Sequence, residues 1–169
     1  MRTTRVLATT AFLMFVATAT ANAQAASDAM GRVDEFVWSA GQMVRGKSLR
    51  QLESIAPLRS HTVAPFAAPN APPGESWEIH SFTYESLYVE GVIGPEQQFL
   101  LAKMVVTGPL FRLPHGLAIG SSRRDVESVL GAASQPGSPT MTYEGETEKV
   151  VFHVSNGRVS KVEFLFYVD

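Results

Sequence analysis

The chain has 169 residues, with 14 Lys and Arg against 16 Asp and Glu, a formal net charge of −2 and no cysteine. That balance, with no basic stripe, excludes the electrostatic footprint of a nucleic-acid binder. The missing cysteine excludes disulfides, thiol catalysis, thiolate metal sites and the lipidated cysteine of a bacterial lipoprotein.

Arg2 and Arg5 form a positively charged start, Val6 to Ala21 is an apolar run, and Ala21-Asn22-Ala23 offers the small residues of a cleavage point. Residues 1–23 therefore read as a secretory signal peptide. The mature chain is expected in the bacterial periplasm or the medium. Cleavage leaves 146 residues and, with two basic residues removed, a net charge of −4. No later segment approaches the apolar run of about twenty residues that a membrane span needs, so no transmembrane segment is expected in the mature chain.

Val33, Phe36, Val37, Ala40, Met43 and Val44 recur at helical spacing and predict an amphipathic helix over Asp28 to Val44. Ser48 followed by Gln51, with Leu49, Leu52 and Ile55 behind, predicts a capping box and a short helix ended by Pro57. The proline-rich stretch Ala64 to Gly74 reads as an extended loop. From Trp77 to Thr107, runs rich in Ile, Phe, Tyr, Leu and Val, broken at Gly91, Gly94 and Pro95, predict three antiparallel strands.

The next segment, "GLAIGSSRRDVESVLG", makes Ser122 an N-cap with Asp125 three residues on. It sets Val126, Val129 and Leu130 on one helix face and Gly131 as a left-handed stop. Met141 to Tyr143, Glu148 to Ser155 and Arg158 to Val168 read as three more strands. A two-residue Asn156-Gly157 turn would set Val150 and Phe152 opposite Glu163 and Lys161. A three-residue loop, Ser155 to Gly157, instead gathers Val150, Phe152, Val154, Val162, Phe164 and Phe166 on one face, and is the expected register.

The chain repeats itself. Aligning Gly46 with Gly120 matches Ser48 with Ser122, Arg50 with Arg124, Glu53 with Glu127 and Ser54 with Ser128. One helix-plus-sheet unit buries its apolar face poorly, and two side by side share a core. The expected fold is α+β, two helix-plus-antiparallel-sheet units in tandem, residues 24–110 and 111–169, together forming one compact domain.

Gly116, Ile119, Gly120, Ser121, Ser122, Asp125, Val126, Leu130 and Gly131, followed by Asn156, Gly157, Arg158 and Val159, resemble the hallmark of a periplasmic superfamily. It includes the SmpA/OmlA (BamE-like) outer-membrane assembly proteins and the β-lactamase inhibitory protein. The chain differs from the assembly lipoproteins in having no lipidated cysteine, and Ala132-Ala133 follows the Leu-Gly pair. The resemblance implies a helix-and-sheet module that works by binding other proteins.

His61, His80, His115 and His153 stand 19, 35 and 38 positions apart, with no close pair, which argues against zinc; no metal or cofactor is expected. "GSS" at Gly120 to Ser122 lacks the strand-to-helix elbow of a serine nucleophile, and capping explains Ser122. Arg123 and Arg124, and alternating Glu144, Glu146 and Glu148, read as solvated charge. The second face of the last hairpin carries Val151, His153, Lys161, Glu163, Leu165 and Tyr167, with Tyr84 and Tyr88 expected to join it from the first half. Tyr, Leu and His among opposite charges is the composition of a protein-binding surface; helices covering this face would make it core instead.

The expectation is a non-enzymatic protein-binding module. Its partner is another envelope or secreted protein, be it an assembly component, a hydrolase to inhibit or a toxin to neutralise. The alternative is a small-ligand or cell-wall-fragment binding module using the cleft between the units. A hydrolase would need a carboxylate pair or a Ser-His-Asp geometry that spacing does not reveal.

Overall fold

The computed structural model describes residues 7–68, 71–133, 135 and 137–167, with side chains from Gln24 onward. Three helices pack on one face of a single antiparallel sheet of seven strands, ordered β1-β2-β3-β4-β7-β6-β5. The strands are β1 (Leu58–Phe66), β2 (Trp77–Tyr84), β3 (Leu87–Ile93), β4 (Phe99–Val106), β5 (Thr140–Glu144), β6 (Lys149–Ser155) and β7 (Arg158–Leu165). The fold class is α+β.

Helix α1 (Leu7–Gly41) starts well before the expected Asp28, and its backbone runs unbroken through Ala21 to Ala23. Residues 1–6 of the expected leader lie outside the described residues. Its buried stripe is the one that the spacing predicts: Val33, Phe36, Val37 and Ala40, continued by Val44 in the following turn. Phe36 meets Phe152 and Phe164 at ring-centroid distances of 6.0 and 6.1 Å, so α1, from the first half of the chain, covers strands from the second. Among the described residues, no helix is long and apolar enough to cross a membrane.

Both short helices form as their caps dictate. Ser48 opens α2 (Leu49–Glu53) and Ser122 opens α3 (Arg123–Leu130), each with a reciprocal capping box and each preceded two residues earlier by a glycine at positive φ, Gly46 and Gly120. Gly131 ends α3 with φ 92° and ψ 178°. The positive φ is as expected, but the backbone there is extended rather than left-handed helical, a region open essentially to glycine alone.

The sheet departs from the expectations in three places. Leu58–Phe66 is a strand at the sheet edge, and the expected loop begins only after it. Its burial pattern has no alternation because both faces are largely exposed, and Pro65 is tolerated on an edge. Gly91 lies inside β3, opposite a bulge in β4, instead of ending a strand. There a Cβ would stand 2.3 Å from Phe99 Cζ and 2.5 Å from the Leu100 carbonyl oxygen, so glycine permits the close approach.

The third departure corrects the last hairpin. Its turn is the two-residue Asn156-Gly157 form, with φ 51° and 73° and Ser155 paired to Arg158. A bulge at Ser160 then shifts the ladder, so that Phe152 pairs with Val162, Val150 with Phe164 and His153 with Lys161. The extra residue restores the apolar register that the tight turn alone would spoil. Val150, Phe152, Val162, Phe164 and Phe166 accordingly share the buried face, and Val154, half-buried and paired with Val159, packs against the same core.

Candidate functional site

The strands alternate, and the helices take one face. On the other, the ladder aligns Thr83, Tyr88, Val105, Glu163, Val151 and Thr142 in one row across β2, β3, β4, β7, β6 and β5. A neighbouring row runs Ser81, Glu90, Lys103 and Leu165. This is the face on which the sequence places His153, Lys161, Leu165 and Tyr167, and the sheet joins both halves of the chain through β4 and β7.

Glu163 is its electrostatic centre. It accepts from Lys161 Nζ at 2.6 Å and His153 Nε2 at 2.7 Å, and Lys103 Nζ stands 3.6 Å away. The Lys161 hydrogen bond holds its carboxyl below the ordinary range; burial opposes this and His153 adds to it. On β3, the Tyr88 hydroxyl donates to Glu90 and stands 3.2 Å from Ser81 Oγ. Burial first, then the Glu90 hydrogen bond, raises the Tyr88 pKa. Leu165 is 37% exposed and Tyr167 68% exposed beside these groups. Ion pairs on a half-open surface contribute little to stability but set charge geometry for a partner.

Tyr84 does not belong to this face. Its side chain points under the sheet, 2% exposed, and its hydroxyl donates to the Leu52 carbonyl oxygen, fastening α2 to β2. The alternation of β2 explains this: Phe82 and His80 are its buried companions. Burial, helped by Glu53, pushes the Tyr84 hydroxyl up to about 12.

Sequence reading missed the far end of the open face. Ile79, Val92 and Leu100 align there with Trp77 beside them, and Trp77 ring atoms lie within 2.9 Å of where a Gly94 Cβ would be. Trp77, Gly94, Pro95 and Leu100 line a hollow of about 260 Å³ with Glu75 and Glu96 at its rim. The signal was present as an aromatic at a strand start facing a Gly-Pro turn.

A larger groove, about 560 Å³, lies between the C-terminal half of α1 and the α3 to β5 segment, lined by Met30, Val33, Leu130, Gln135, Thr140 and Thr142. It brings one element of each expected unit together.

The remaining candidates have structural partners. Ser122 Oγ accepts from the Asp125 amide, and Asp125 accepts from the Ser122 amide at 2.7 Å; the Ser122 hydroxyl first, and its amide second, hold the Asp125 carboxyl low. Gly120 donates its amide to the Val159 carbonyl at 2.8 Å. Arg123 donates to the Ser138 carbonyl, and Glu148 forms a 2.7 Å ion pair with Arg45 at 12% side-chain exposure, so neither is the solvated charge expected. Burial raises the Glu148 carboxyl pKa against the pull of Arg45. His61 and His80, 19 positions apart, lie 3.0 Å from each other.

No family model matches the chain. No curated protein matches it either. Among solved structures, it is similar to the uncharacterized protein yfeY from Escherichia coli, at 13% identity and TM-score 0.38 over 69% of this chain and 86% of that one. It is also similar to an extracellular protein containing a SCP domain from Bacillus anthracis str. Ames, at 12% identity and TM-score 0.35 over 74% of this chain and 44% of that one. Likenesses at these scores assign neither fold nor function. The resemblance to the SmpA/OmlA and inhibitory-protein superfamily thus stands on its motif residues alone.

Proposed function

We propose that the chain is a secreted or periplasmic, non-enzymatic protein-binding module, built as two related helix-and-sheet units in tandem, whose open sheet face engages another envelope or secreted protein. The observation that supports this reading most is the composition of that face. Tyr88, Val105, Val151 and Leu165 lie among Glu90, Lys103, Lys161 and Glu163 across the joined sheet. Apolar and aromatic anchors ringed by opposite charges are the anatomy of an interface. The signal-peptide pattern of residues 1–23 supports export.

Affinity capture from envelope extract tests the proposal, comparing the chain with a variant carrying Tyr88→Ser, Leu165→Ser and Tyr167→Ser. With both folded by circular dichroism, one protein retained by the first and lost by the second is the expected result. Equal retention by both contradicts it.

The groove beneath α1 favours a second reading, binding of a small ligand or cell-wall fragment. Its volume falls within the range of ligand sites, and Gln135 and the edge strand β5 line it together with apolar Met30, Val33 and Leu130. Binding of a muropeptide that Met30→Trp abolishes would select this reading over the first.

A further inference from the structure

On the helix side of the sheet, at the edge formed by β1 and β2, four side chains form a line. Glu53 Oε1 stands 3.5 Å from His61 Nδ1, His61 Nε2 stands 3.0 Å from His80 Nδ1, and His80 Nε2 stands 3.3 Å from Glu78 Oε2. Three elements bring them together: α2 carries Glu53, β1 carries His61, and β2 carries both His80 and Glu78. The ladder pairs His61 with Phe82 and Val63 with His80, so the two imidazoles are diagonal neighbours on one face. Phe82 stacks on His61 at 4.1 Å and 14° and fixes the ring.

We propose that His61 and His80 are the protein ligands of a divalent transition-metal site, zinc first, held between His61 Nε2 and His80 Nδ1. Two nitrogens at about 2.0–2.1 Å from a tetrahedral zinc stand about 3.3 Å apart. The observed separation is 3.0 Å, so the rings move apart slightly and turn their facing nitrogens toward a common point as the ion enters. Each outer ring nitrogen faces a carboxylate, the arrangement that fixes the tautomer and orientation of metal-bound histidine. Imidazole pairs suit zinc, copper and nickel more than magnesium or calcium.

Charge and protons also balance. Glu53 and Glu78 bring two negative charges to a dication. Metal binding requires both rings neutral with their hydrogens on the outer nitrogens, His61 Nδ1 and His80 Nε2, and any hydrogen lying between the rings goes to solvent. Among the described residues, no group of three or more His, Cys, Asp or Glu side chains is arranged to hold a metal. The protein therefore supplies two ligands, and water fills the open positions. His80 is buried while His61 side-chain exposure is 21%, so the ion reaches the site from the β1 edge. The site lies on the opposite face from the proposed protein interface and stands or falls independently of it.

Zinc titration of the full chain without a polyhistidine tag, followed by calorimetry and long-range imidazole nitrogen NMR, tests the site. One equivalent should bind. The His61 Nε2 and His80 Nδ1 resonances should shift, each ring held in the tautomer protonated toward its carboxylate, with His115 and His153 unchanged. His61→Gln should weaken binding at least about tenfold, and Glu78→Gln about tenfold through ring orientation. Glu78 is exposed, so this variant keeps the test alive should a histidine change unfold the chain. Absence of saturable binding overturns the proposal, as does binding that shifts His115 or His153 instead or survives His61→Gln unchanged.

Discussion

Asp34, two turns before the C-terminus of α1, locks the turn between β5 and β6. Its Oδ2 accepts from the Glu146 amide at 2.9 Å and its Oδ1 from the Glu148 amide at 3.2 Å. Gly145 immediately precedes them, and a Cβ there would stand 2.0 Å from Asp34 Oδ1. Hydrogen bonds to a charged group contribute about 1.5–3 kcal/mol each, and the partial exposure of this pair sets Asp34→Ala at about 2–3 kcal/mol in total. Gly145→Ala drives a methyl into the carboxylate and should cost about 1–3 kcal/mol. The two changes share one cause, so they should not add. With Asp34 already alanine, the three atoms nearest the Gly145 methyl are gone, and the coupling should reach about 1–2 kcal/mol in a double-mutant cycle. Urea unfolding of the four proteins, followed by Trp38 and Trp77 fluorescence, gives the cycle. Additivity within about 0.5 kcal/mol would refute the lock.

Gly91→Ala should destabilise by about 1–3 kcal/mol, because the Leu100 carbonyl that meets the new methyl belongs to the backbone and cannot rotate away; a thermal melt matching that of the unsubstituted chain would contradict the close approach. Glu163 has a depressed folded-state pKa, so its stabilisation is present above the unfolded value and lost as pH falls through the folded one. Glu163→Gln should therefore flatten the stability profile on the acid side of the ordinary carboxylate range, measured by urea midpoints against pH. Glu148 has the opposite sign: its raised pKa stabilises at acid pH, and that contribution is lost as pH rises through the folded value, so Glu148→Gln should remove this loss. Ser122→Ala should cost about 1 kcal/mol through the lost cap, read from the same unfolding curves.

Local signals carried far in this chain. Both capping boxes, the α1 stripe and six of the seven strands follow from side-chain periodicity and cap chemistry, which act within a few residues. The missed strand, β1, is an edge whose two faces are both largely exposed, so it leaves no periodic trace. The hairpin register eluded pattern reading because turn and ladder made different demands, and the bulge at Ser160 satisfied both. On the candidate face, His153, Lys161 and Leu165 were legible from β7 and β6 alternation. Tyr84 was not, since its side depends on how β2 pairs with β1 and β3 and on which face of the sheet the helices cover. The His61 and His80 pair was hidden for the same reason: sequence separation says nothing about diagonal neighbours across a ladder.

Site-directed photo-crosslinking in cells shows whether the open face is the interface proposed above. A benzophenone amino acid at Leu165, 37% exposed on that face, is compared with one at Trp38, 54% exposed on α1. The account predicts a discrete protein adduct at Leu165 and none at Trp38. An adduct at Trp38 with none at Leu165 would contradict it and move the interface to the helical side of the molecule.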